Sequence, residues 1–126
     1  MSKDDSAICS AAPTLLFPCS GAADVGEISD RAARAMSRAG AGKMFCLAGL
    51  GGLVPGIVKT AKDATHILAI DGCPLDCARL ILEKAGITNF EHLVVTDLDL
   101  PKGQSPATQE HIDTVIEAAV TKLGDS

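Results

Sequence analysis

Four short apolar runs recur along this chain of 126 residues, each followed by a stretch with helical spacing. They read Thr14-Leu15-Leu16-Phe17-Pro18, Lys43-Met44-Phe45-Cys46-Leu47, His66-Ile67-Leu68-Ala69-Ile70 and a fourth over about 92–96. A run that is apolar throughout, rather than at alternate positions, has to be covered on both faces. Intervening helices of about ten to seventeen residues supply that cover and make the strands parallel, since parallel neighbours need a long crossover. Right-handed crossovers then favour a small three-layer, doubly wound (Rossmann-like) α/β sandwich with four parallel strands in the order 2-1-3-4.

Periodicity predicts the first helix over 25–39. Val25, Ile28, Ala32, Ala35 and Met36 share a face, Asp24 caps it with Glu27 three residues on, and Gly40 stops it. A shorter helix is predicted over 53–64, a third over 75–85 closed by Gly86, and a last one opened by Ser105-Pro106 and ended by Gly124. Residues 1–12 read as a flexible polar tail and 13–126 as a single domain, long enough to bury about two thirds of its unfolded surface without help from a metal.

Composition narrows the partners. With no Trp, no Tyr and three Phe, stacking platforms for bases or sugars are scarce, and a net charge of −5 opposes nucleic acid and anionic membranes. Asp4 and Asp5 stand where a signal peptide is basic, and no stretch approaches the roughly eighteen apolar residues of a membrane span. The expected setting is a reducing cytoplasm, where clustered cysteines serve as ligands or redox groups rather than structural bridges.

Four of the five cysteines fall at or just beyond an apolar run: Cys19, Cys46, Cys73 and Cys77. In a parallel sheet those positions share the carboxyl edge, where open α/β folds bind their ligands. Adjacent strand ends lie about 4.8 Å apart, and Cys77 follows Cys73 by one helical turn, so four soft sulfurs converge where a tetrahedral zinc could sit. Cys9 lies in the tail and is read as a bystander. His66 and His92 begin the third and fourth strands, on the order of 20 Å from Cys73, and His111 is on the last helix. None of the three is expected to join the site.

The segments Cys19-Ser20-Gly21, Met44 to Gly52 and Ile70-Asp71-Gly72-Cys73-Pro74-Leu75-Asp76-Cys77-Ala78 resemble the DGC-domain family, named for the triplet at Asp71-Gly72-Cys73. The resemblance runs from about Thr14 to Thr96 and more weakly into the last helix. It implies a small prokaryotic zinc-binding domain whose four cysteines match Cys19, Cys46, Cys73 and Cys77, with no reaction established for the family. Some members carry a further cysteine three residues after the first. Ala22 stands there in this chain, which weakens dithiol exchange centred on Cys19.

Other motifs carry less. Cys73 to Arg79 fits the spacing of a phosphatase loop, but Pro74 removes an amide donor and Asp76 would repel phosphate. Gly40-Ala41-Gly42-Lys43 lacks the glycine and hydroxyl of a phosphate-binding loop and precedes a strand instead of following one. Gly49, Gly51 and Gly52, with Gly21, read as loop residues that let backbone pass close to a metal or small ligand. Asp71 and Asp97 stand near the same edge, chiefly as helix or turn caps, each also able to orient a bound group.

The function that follows is zinc binding by Cys19, Cys46, Cys73 and Cys77. Four thiolates leave the metal no open position, which favours sensing, storage or docking of a protein partner or small ligand over catalysis. An iron–sulfur cluster on the same cysteines and a thiol redox pair at Cys73 and Cys77 are the alternatives.

Overall fold

Neighbouring residues of the apolar strands turn to opposite faces and so build two separate cores. The computed structural model of the protein describes residues 14–124; Cys9 and the expected tail over 1–12 lie outside the described residues. Strands β1 (Thr14–Pro18), β2 (Lys43–Met44), β3 (His66–Asp71) and β4 (Glu91–Val94) form one parallel sheet in the order β2-β1-β3-β4. Both the fold class and the strand order are those anticipated from the sequence.

Leu16, Leu68 and Ile70 pack beneath helices α1 (Asp24–Arg38) and α5 (Gln109–Gly124) through Val25, Ile28, Met36, Ile112 and Val115. Their strand neighbours Leu15, Phe17, Ile67 and Ala69 pack on the other face against α2 (Leu47–Gly51), α3 (Pro55–Asp63) and α4 (Cys77–Lys84), with Leu50, Ala61, Ala78 and Leu82. This division makes the sandwich three-layered. No described helix is long and apolar enough to cross a membrane.

Element boundaries differ from the periodic pattern where backbone chemistry intervenes. The second strand is cut to two residues, because Cys46 caps a short helix over the glycine-rich segment that the sequence presents as a loop. The following helix begins at Pro55 rather than at position 53, since Leu53 takes a left-handed φ of 57° and proline suits a first helical turn. Asp76, at φ 57°, likewise delays α4 to Cys77. The fourth strand ends at Val94 and runs into a 3-10 turn, Val95–Leu98.

Gly72 is where the sheet and α1 come closest. A Cβ at this position would lie 2.9 Å from the Gly26 nitrogen and from the Val25 carbonyl group, so only glycine lets the strand end pass the start of α1. Overpacking of this kind costs about 1–3 kcal/mol. Gly72→Ala should therefore lower the urea midpoint by an amount equivalent to about 2 kcal/mol at unchanged slope. An unchanged midpoint would show that α1 can retreat freely.

A candidate metal centre at the carboxyl edge of the sheet

Cys19 is fixed by its backbone. Its amide donates to the Ile70 carbonyl at 2.8 Å, extending the β1–β3 ladder, and its carbonyl accepts from the buried hydroxyl of Ser29 on α1. The thiol is half-buried, and Gly21 passes so near it that a Cβ there would stand 3.4 Å from Sγ. Cys73 follows β3 by two residues and is also half-buried, with the Lys102 ammonium 3.5 Å from its Sγ. Cys77 opens α4.

These three thiols share an electrostatic neighbourhood. Although Cys77 is exposed as a residue, partial burial of its thiol pushes its pKa above the ordinary 9.0, and Cys19, Asp71 and Cys73 push it the same way while Lys102 opposes them. Negative charge gathered on several sulfurs here is therefore unfavourable unless a cation accompanies it. The sulfurs are not drawn into ligand spacing: among the described residues, no three cysteines have sulfurs all within 4.8 Å of one another.

Cys46 stands beyond β2, on the other side of β1 from Cys73. It is exposed, and its sulfur accepts the Gly49 amide at 3.2 Å as the cap of α2. The nearby glycines have packing consequences of their own. A Cβ on Gly49 would overlap Ile57 at 2.2 Å, and one on Gly51 would meet Ile81 at 3.6 Å.

Lys102 reaches the thiols because Asp24 holds its loop. The Asp24 carboxylate accepts the amides of Gly103 and Ser105, each at 2.9 Å, as well as that of Val25 at 2.8 Å. The sequence presents Asp24 as the cap of α1; the cap position belongs to Ala23, and the carboxylate serves the 103–105 loop instead. The loop amides, opposed only by slight burial, hold its pKa below the ordinary 3.8.

His92 is the clearest departure from expectation. It is the second residue of β4 and pairs with Ala69 in the carboxyl half of β3, which brings Nε2 to 2.8 Å from Asp71 Oδ2 and 3.7 Å from Asp76 Oδ1. Counting residues from the start of an isolated strand missed this, because the offset of β4 against β3 is a property of pairing. Asp71, Asp76 and His92 are the one group of three ligand-type residues among those described whose donor atoms all lie within 4.8 Å. Its carboxylate at Asp71 is already engaged: Oδ1 accepts Ala78 N at 2.7 Å and Oδ2 accepts Arg79 N at 3.1 Å. The group thus works as the cap of α4 with a histidine joined to it, matching the capping role anticipated for Asp71.

This constellation, a doubly wound sandwich with cysteines beyond successive parallel strands and the Asp71-Gly72-Cys73 corner between them, is that of a DGC domain, and the chain belongs to that family. The family pattern matches residues 15–119. Among curated proteins, the chain is 36% identical over 88 residues to the anaerobic and virulence modulator AnvM of Pseudomonas aeruginosa, covering 70% of this chain and 67% of that protein. No solved structure matches the chain.

Two outcomes follow from the electrostatics. Stability supplied by the Asp24 clamp is fully present above pH 3.8 and is lost as pH falls through the lower folded value. The stability gap between wild type and Asp24→Asn should therefore shrink between urea titrations at about pH 6 and about pH 3; an equal gap at both would contradict the clamp. For the raised Cys77 thiol, iodoacetamide labelling of metal-free protein, followed by peptide mass spectrometry, should show a pH midpoint above 9.0 at Cys77. Cys19→Ser should lower that midpoint.

Proposed function

We propose that this protein is a non-catalytic metal-binding domain that holds one zinc ion through Cys19, Cys73 and Cys77, with Cys46 from the neighbouring strand end as the fourth ligand. The observation that carries the reading is the gathering of three thiols at one sheet edge, Cys19 after β1 and Cys73 and Cys77 on the connection from β3 to α4, where Cys19 and Cys73 both disfavour the Cys77 thiolate. A divalent cation relieves that opposition and binds four thiolates with a formal charge of −2. Lys102 at Cys73 supplies a compensating positive charge. Soft sulfur donors suit zinc better than the Asp71, Asp76 and His92 group, whose buried carboxylate is occupied by two backbone amides.

A site with four protein ligands has no open position for substrate, so sensing, storage or partner docking is the role it fits. The relative AnvM is named as a modulator, and a regulatory role of that kind is consistent with such a site. The fully buried residues of the two cores include none of the four cysteines, so the metal is expected to stabilise the domain without being needed to nucleate it.

Elemental analysis of protein purified without added metal should give about one zinc per chain, lost when any two of the four cysteines become serine. Chelation should lower stability by about 4 kcal/mol if free zinc had exceeded its dissociation constant a thousandfold, with the far-UV signature of the α/β fold retained. Reduced, metal-free protein that takes up no zinc would end the proposal. Visible absorbance after anaerobic purification would transfer the same ligands to an iron–sulfur cluster, while two thiols hidden until reductant is added would indicate a Cys73–Cys77 disulfide.

A further inference from the structure

Beside the thiol edge, the short β2 leaves a cleft of about 810 Å³ between α1 and the 44–48 segment. That volume falls in the range of small-molecule sites, which are apolar in the main with a few polar groups that orient the ligand. Met44, Phe45 and Leu47 line it from the segment after β2, and Ile81 from α4. From α1 come Arg34, Ser37 and Arg38.

The charges of these residues are not alike. Of the four arginines in the chain, Arg31 pairs with Glu27, Arg34 with Asp30, and Arg79 with both Asp76 and Glu83. Arg38 has no acidic partner among the described residues, in a chain whose net charge is −5. Its guanidinium thus stands beside an apolar cleft with its donors unclaimed, in a form that matches an oxyanion bidentately. The neighbouring Ser37 accepts the Met44 amide through Oγ at 3.1 Å, which leaves its hydroxyl proton for a further acceptor.

We propose that this cleft is a binding site for a small amphiphile, an apolar chain ending in a carboxylate or phosphate, with the head on Arg38 and Ser37 and the chain along Met44, Phe45, Leu47 and Ile81. The apolar side chains provide affinity by losing hydrated surface, and Arg38 selects the anion. The cleft flanks β2, the edge strand of the sheet, and reaches Pro18 and Ser20 at the carboxyl end of β1. Cys46, the fourth ligand in the proposed zinc site, also lines the cleft, so the two sites adjoin; the binding of the amphiphile rests on Arg38, Ser37 and the apolar lining and not on a metal.

Titration calorimetry on the full chain as purified, with decanoate, decyl phosphate and decanol as probes, tests this. At least one of the two anions should bind, and decanol should bind at least tenfold more weakly than that anion. Arg38→Glu should weaken the anion at least tenfold, whereas Arg31→Glu, on an arginine that does not line the cleft, should change it less than twofold. Arg38 is exposed, so unchanged circular dichroism is expected to accompany the loss. Absence of binding by both anions, decanol binding as tightly as the anions, or anion binding indifferent to Arg38→Glu would each overturn the proposal.

Discussion

A carboxylate with 1% of its surface exposed has to be matched by donors, and Asp71 meets that demand by tying three elements together. As the last residue of β3 it accepts two amides from the first turn of α4 and the imidazole of His92 on β4. The helix is thereby held to the strand end, and the edge strand β4 to its neighbour. Cys73 and Cys77 lie on the short connection so constrained, which is why their placement is governed by a group that is not itself a sulfur.

Around that carboxylate the chain is kept close by absent side chains. Gly72 lets the corner touch the start of α1, and Gly26 on α1 faces the Gly21 backbone at 2.6 Å from where a Cβ would stand. The two loops that carry Cys19 and Cys73 consequently rest on the same end of one helix. That shared support brings a residue from the first strand near residues from the third, with Ser29 adding a hydrogen bond to the Cys19 carbonyl. Lys102 arrives from the opposite end of the sequence through the Asp24 clamp.

The sheet order, both cores and the family were legible in the residues because continuous apolar runs such as Leu15-Leu16-Phe17 and Ile67-Leu68-Ala69-Ile70 permit few parallel arrangements. What escaped was set by contacts between distant segments. His92 reaches Asp71 through a strand offset that no local pattern encodes, and Asp24 leaves its expected cap role for amides at Gly103 and Ser105. Leu53 and Asp76 moved helix starts by adopting left-handed backbone, which neither residue type announces. Arg38 was silent in the sequence, since its distinction is the lack of an acidic partner among the described residues.

The span of the Asp24 clamp has a bearing on the order in which the molecule comes into being. Gly103 and Ser105 follow Asp24 by 79 and 81 residues, so on a ribosome adding about 5–20 residues per second the helix waits on the order of ten seconds for them. Cys19 is made before that interval opens and Cys73 within it, both ahead of Lys102. A nascent chain thus offers its sulfurs to the cell before the ammonium that accompanies them exists, and the first metal or oxidant encountered meets a site whose charge is not yet the one the finished protein carries.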